Sequence, residues 1–130
     1  MNADRTFRTG IVRSSEQIER KEVATAMATR IQVLVGPADG APHFAMRRFI
    51  MGAGGGMPLH TNTVEHEQYV LKGRAEVGIG GQKFEVAPGD VLYIPAGSPH
   101  YYRVIEAPFE FLCMVPNLED KIQVVQEPGC

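Results

Sequence analysis

Apolar residues in this chain fall in short runs in which polar side chains alternate with them, and glycine and proline interrupt the runs at close intervals. The segments Arg30–Val35, Ala45–Met51, Gln68–Leu71, Arg74–Ile79, Gln82–Val86, Val91–Ile94, His100–Ile105 and Phe109–Val115 carry this pattern and are predicted strands. A period of two turns one set of side chains toward a core and the other toward water, which is the signature of a half-buried strand. The chain holds 14 Gly and 9 Pro, and the pairs Gly80-Gly81 and Pro88-Gly89 mark tight turns between neighbouring segments. An antiparallel all-β domain follows. Only Ser14–Thr29 offers a helical alternative: Ser15 can cap a turn through Glu16–Glu22, but Val23, Ala26 and Met27 form too narrow an apolar stripe to hold a helix. At most a short turn is expected there, with part of the segment extended. Asn117–Cys130 is expected to be loosely held or to pack on a partner subunit.

At 130 residues the chain is long enough for one core and too short for two. The expected organisation is a single domain over 1–130, with a core at about 30–116, an N-terminal extension at 1–29 and a tail at 117–130. Thirteen Lys and Arg stand against 15 Asp and Glu, for a formal net charge of −2, and no basic run is present. Nucleic acid and anionic membrane surfaces are therefore not expected as partners. No apolar stretch approaches the length of a membrane span, and MNADRTFRTG lacks the apolar region of a signal peptide. A cytoplasmic location is expected, and the two cysteines, Cys113 and Cys130, provide no disulfide framework.

Chemistry enters with the histidines. His60 and His66 lie in a stretch that runs from Gly54-Gly55-Gly56 to Gly73, and His100 closes a stretch that runs from Gly89 through Pro95 and Gly97. Imidazoles carried on separate strands and converging on one point are what a divalent transition ion needs, because no single extended segment can surround it. Alternation places His60 with Asn62, His66 with Gln68 and Val70, and His100 with Tyr102 and Val104. Gly54–Gly56 is expected to let the chain turn steeply before His60, and Pro95 and Gly97 to return His100 toward the same centre.

These two stretches resemble the motifs of the cupin superfamily. The first motif, G-x5-H-x-H-x3/4-E-x6-G, is matched in spacing by Gly54, His60, position 62, position 66 and Gly73; the second, G-x5-P-x-G-x2-H-x3-N, is matched by Gly89, Pro95, Gly97 and His100, with Val104 in place of the Asn. The match covers about the middle half of the chain. Asn62 stands where a second His is usual and His66 where a Glu is usual. A subset of small single-domain cupins has His at the latter place and so presents four histidines. The chain is thus similar to a four-histidine cupin in which one imidazole is replaced by a carboxamide. The resemblance implies an all-β double-stranded β-helix, or jelly-roll, barrel and a metal set of His60, Asn62, His66 and His100. It also implies a homodimer, to which the alternately apolar edge Thr29–Val35 adds a reason, since a bare sheet edge invites pairing.

Three neutral imidazoles and a neutral amide leave a divalent ion its full charge, which favours anionic or enolisable ligands at open positions. Fe, Mn, Ni, Cu, Zn or Co suits these donors, and Mg or Ca does not. Asn62 either ligates directly or hydrogen-bonds a metal-bound group beside a three-His site. The resemblance implies a metal-dependent oxygenase acting on a small organic molecule; a non-catalytic metal- or ligand-binding barrel is the alternative, and a metal-dependent isomerase or lyase a further one. The remaining polar and aromatic residues have plainer expectations. His43 is an ordinary polar residue, Glu65 and Glu67 form a solvated face, and Cys113 is a buried inert thiol. Tyr93, Tyr102, Phe44, Phe49 and Met46 are expected in the core. Arg48 is expected at the barrel rim or as the anchor of an anionic ligand.

Overall fold

The computed structural model describes residues 9–125. Its strands are β1 (Lys21–Glu22), β2 (Met27–Val35), β3 (Phe44–Asn62), β4 (His66–Ile79), β5 (Gln82–Val86), β6 (Val91–Ile94), β7 (His100–Pro116) and β8 (Ile122–Val124). The sheet runs in the order β1-β2-β3-β7-β4-β5, with β6 added to β4 and β8 to β3, and every pairing is antiparallel. This is a jelly-roll barrel, in which side chains alternate between an interior and an exterior face.

Three strands are longer than their sequence pattern predicts. Ala45–Met51 and the stretch through His60 are one strand, β3; the segments on either side of Gly73 are one strand, β4; and those on either side of Pro108 are one strand, β7. The polar and glycine interruptions are bends within continuous strands. At Gly73 (φ +75°) a Cβ would stand 2.2 Å from the Pro108 carbonyl oxygen, so only glycine lets β4 and β7 stay in contact through the bend. Gly54–Gly56 likewise does not make the expected steep turn. It forms an irregular section of β3, where the register against β7 slips between Met51 and Gly56 and again between Met57 and His60. A Cβ on Gly56 would lie 2.2 Å from the Tyr102 carbonyl oxygen, so the two backbones approach more closely than any side chain allows.

The ends also differ from expectation. The turn at Ser15–Gln17 is a single 3-10 turn capped by Ser14, whose hydroxyl accepts from the Glu16 N–H at 3.2 Å. Residues 117–125 pack on the chain's own barrel: β8 pairs with the end of β3, Asn62 opposite Ile122. The edge of β2 is partly closed by β1 and by Arg13, which donates to the Leu34 carbonyl at 2.7 Å. Cys130 lies outside the described residues. Among those residues no helix is long and apolar enough to cross a membrane.

The core gathers Met51, Met57, Val70, Ala75, Val77, Leu92, Ile94, Phe109 and Phe111 between the two halves of the barrel. Tyr93 and Phe44, expected in the core, are 59% and 57% exposed on the outer face; Met46 is half-buried, while Tyr102 is buried.

Candidate metal centre and cavity

Cross-strand register assembles the site. His60 on β3 is the direct partner of His100 on β7, Phe49 of Phe111, and Arg47 of Cys113; on β4, His66 faces Ile94 and Gln68 faces Cys113. Directly opposed residues have Cβ atoms about 4.5–5.5 Å apart, so these pairs bring chemistry from three strands into one interior volume. The resulting cavity encloses about 250 Å³ and is lined by His60, Asn62, His66 and His100 together with Gln68, Tyr102, Arg47 and Asp120. Glu22, Val23 and Ile122, from the N-terminal segment and β8, also line it.

The imidazoles of His60 and His100 have ring centroids 4.0 Å apart, and that of His66 stands 5.7 Å from His100. All three are buried. Burial lowers the pKa of each below the usual histidine value, to about 3 for His66 and about 4 for His100. At His66 the charges of Arg47 and the two neighbouring histidines add to the effect; at His60 the Pro58 carbonyl and Asp120 oppose it. The three rings are therefore neutral at pH 7. His60 Nδ1 lies 2.7 Å from the Pro58 carbonyl oxygen and His100 Nδ1 2.9 Å from that of Ser98. A carbonyl only accepts, so each Nδ1 carries the proton and each Nε2 keeps its lone pair.

Asn62 Nδ2 donates to Asp120 Oδ2 at 3.0 Å. Asn62 Oδ1 and His66 Nδ1 are buried without a hydrogen-bond partner. A buried polar atom left unpaired costs about 1–3 kcal/mol, and two of them in the wall of one cavity mark a place built to receive something. The donor chemistry fits a divalent transition ion: two imidazoles have their Nε2 lone pairs free, a third ring is neutral and incompletely bonded, and an amide oxygen is unsatisfied. The rings are not already drawn into a closed cage. Among the described residues no group of three His, Cys, Asp or Glu side chains is gathered tightly enough to hold an ion by itself, and His66 is the ring set furthest from His100.

One wall is aromatic. Phe49 stacks on Phe111 at 5.1 Å with 14° between planes, Phe111 on Tyr102 at 5.2 Å with 15°, and Tyr102 meets the edge of His100 at 6.0 Å. The Tyr102 hydroxyl accepts from Gln68 Nε2 at 2.7 Å, and burial pushes its pKa up, so it stays protonated. Cys113 is buried as expected, with burial raising its thiol.

Two residues of this cavity escaped the sequence. Arg48 pairs with Glu110 on the opposite face of β3, its Nε donating at 2.9 Å, and it is Arg47 that reaches the interior. Asp120 comes from the tail, which carries no local pattern that marks it. His43 is exposed and does not line the cavity. Glu65 is solvated, but Glu67 is half-buried, and burial together with Glu65 raises its carboxyl to about 7.

The chain belongs to the cupin family: the cupin domain matches residues 47–115, which spans β3 to β7. Among curated proteins it is similar to 1-methylthio-D-xylulose 5-phosphate methylsulfurylase from Rhodospirillum rubrum, 36% identical over 83 residues, 63% of this chain and 53% of that protein. It also resembles quercetin 2,3-dioxygenase from Bacillus subtilis, 41% identical over 54 residues, 41% of this chain and 16% of the dioxygenase. The matched stretch thus spans about half of the first relative and a small part of the second. Among solved structures the polyketide cyclase RemF from Streptomyces resistomycificus superposes with a TM-score of 0.83 at 27% identity, covering 93% of this chain and 89% of the cyclase.

Proposed function

We propose that this protein is a metal-dependent enzyme in which His60, Asn62, His66 and His100 hold one divalent transition ion, Fe, Mn, Ni, Cu, Zn or Co, beside a small organic substrate. The observation that carries this is the pair of unsatisfied buried atoms, Asn62 Oδ1 and His66 Nδ1, in the same cavity wall as two imidazoles whose Nδ1 protons are already held by carbonyls. An ion bound there supplies a Lewis acid that polarises a carbonyl or enol oxygen.

The protein's own groups do the rest. The Pro58 and Ser98 carbonyls fix the ring orientation of His60 and His100. Asp120 holds the amide of Asn62 and adds a negative charge behind a donor set that is otherwise neutral. The Phe49–Phe111–Tyr102 stack presents apolar ring edges to the cavity and limits the water around a substrate there. A volume of about 250 Å³ lies just under the range of about 300–1,000 Å³ usual for small-molecule sites, which limits the substrate's size.

The likeness to a polyketide cyclase over most of the chain supports action on an enolisable carbonyl compound. The shorter likeness to a dioxygenase supports the second form of the same proposal, in which the substrate is oxygenated. Elemental analysis of untagged protein purified without chelators tests the common part: about one transition ion per chain is expected, and a protein that holds none and takes up none when these ions are added rejects it. Turnover of an enolisable diketone with and without oxygen separates the two forms, since only an oxygenase stops when oxygen is removed.

A further inference from the structure

β3 turns Arg47, Phe49 and Met51 toward the cavity that holds the histidines. The Arg47 guanidinium lies over the Phe49 ring at 5.2 Å, and its Nη2 donates to Cys113 Sγ at 3.1 Å. Its Nε is buried with no partner. Five other arginines among the described residues meet acids, Arg13 with Asp39, Arg30 with Glu22, Arg48 with Glu110, Arg74 with Glu85 and Glu106, and Arg103 with Glu76, while Arg20 is exposed to water. Among the described residues no carboxylate lies within ion-pair distance of Arg47. The two acids that line the cavity are engaged elsewhere, Asp120 with Asn62 and Thr63, and Glu22 with Arg30.

Arg47 is half-buried, and the edge of its guanidinium that is withdrawn from water needs a counter-charge or acceptors for its donors. The partner that Arg47 has supplies neither, because a buried thiol is neutral and accepts weakly. The Nε and Nη2 donors lie along one edge of the guanidinium, the edge that matches the two oxygens of a carboxylate. Along this edge one donor meets only sulfur and the other meets nothing. From Arg47 the wall continues through Phe49, Phe111 and Tyr102 to His100 as an unbroken series of ring contacts. Arg47 and the three imidazoles line the same cavity, so an organic ligand lodged in it meets both.

We infer that Arg47 is the anchor for a carboxylate on the substrate, and that the substrate class is a small organic anion held in the cavity between Arg47 and the histidines. The inference rests on the proposed function for the far end of the substrate, whereas the anchor itself rests on Arg47 alone. It also gives Cys113 a place: the thiol meets the guanidinium edge that a substrate carboxylate would take over.

Benzoate is the probe, with benzamide as its uncharged counterpart. Each is titrated calorimetrically into the full-length protein as purified and again after dialysis against a chelator, which removes direct binding of benzoate to an ion. Benzoate is expected to bind in both preparations, with benzamide weaker by about 10- to 100-fold, the range set by a hydrogen bond to a charged group. Arg47→Met, of similar reach and without charge, is expected to lose benzoate by the same factor and to keep its metal content and its weak benzamide binding. Benzoate affinity unchanged in Arg47→Met overturns the inference. Should that variant not fold, the Nε–H resonance of Arg47 in the parent is followed instead: a shift on adding benzoate but not benzamide upholds the anchor, and no shift overturns it. Arg47-dependent benzoate binding in a protein that never takes up metal upholds the anchor while the metal proposal fails. Bound metal without Arg47-dependent benzoate binding does the reverse.

Discussion

The Asn62 amide gives a hydrogen to Asp120, Nδ2 to Oδ2 at 3.0 Å, while the other oxygen of Asp120 accepts from the Thr63 backbone N–H at 3.1 Å. A carboxylate accepts and does not donate, so this contact decides which way round the amide sits. Its NH2 group points to Asp120 and its oxygen remains among the imidazole-bearing residues without a partner. Asp120→Ala removes the constraint, and the weakened orientation is expected to lower metal affinity by about 10- to 100-fold, as loss of an outer hydrogen bond to a ligand generally does. Competition against a chromophoric chelator measures it; an affinity equal to the parent's means that the amide is not a ligand or does not need Asp120.

Asn62 itself separates direct ligation from an outer contact. Asn62→His completes an imidazole quartet and is expected to raise affinity for late first-row ions, because imidazole is the better donor for them. Turnover is expected to fall, since a position open to substrate is then filled. Asn62→Ala that loses metal assigns direct ligation, and Asn62→Ala that keeps metal but changes ligand binding assigns an outer contact. If both variants bind metal like the parent, Asn62 plays no part in the site.

Replacing His60, His66 or His100 with Ala is expected to reduce bound metal to near zero, since each removes one of only three imidazoles. His43→Ala, altering an exposed side chain, is expected to leave it unchanged. Elemental analysis reads both. Full metal content in His66→Ala would place the ion elsewhere, a sharp test because His66 is the ring that stands furthest from its neighbours.

The buried rings also set a pH dependence in the metal-free protein. In the folded chain His66 sits at about 3 and His100 at about 4, against 6.5 when exposed, so unfolding takes up protons below neutrality. The depressed values contribute stability that is fully present above about pH 6.5 and is lost as the pH falls, first toward 4 and then toward 3. Thermal melts of chelated protein are expected to show Tm falling steadily from pH 7 to pH 4, and His66→Phe is expected to flatten the slope. A Tm that does not change over this range contradicts the burial assigned to the rings.

A homodimer is expected in solution. Tyr69 and Val91, direct cross-strand partners on β4 and β6, stand 45% and 75% exposed beside Tyr93 at 59%, an apolar outer surface that a second copy can cover. The edge of β2 contributes less than its sequence suggests, because β1 and Arg13 already occupy part of it. Sedimentation at high micromolar concentration measures the state, and a monomer rejects the expectation.

The strands and the all-β class could be read directly from the chain because they depend on local rules, period-two alternation and glycine and proline at the turns, whereas the candidate metal residues came from the resemblance of two motifs. Parity across the bends could not. His60 and Asn62 face inward at even positions, and continuing that parity backward along β3 selects Arg48. The register slips between Met57 and His60, so the inward set becomes Met57, Met51, Phe49 and Arg47. A one-residue shift exchanges the two faces of a strand, and whether a slip occurs is decided by the partner strand, here β7, from which Gly56 is separated by too little space for a Cβ. Asp120 was hidden for a different reason. It lies 58 residues beyond Asn62 in the chain, in a segment without periodicity, and reaches the site only because β8 pairs with the end of β3. Local sequence determined which side chains the strands of this barrel carry; long-range pairing decided which of them share its cavity, because contacts between distant segments leave no period in either of them.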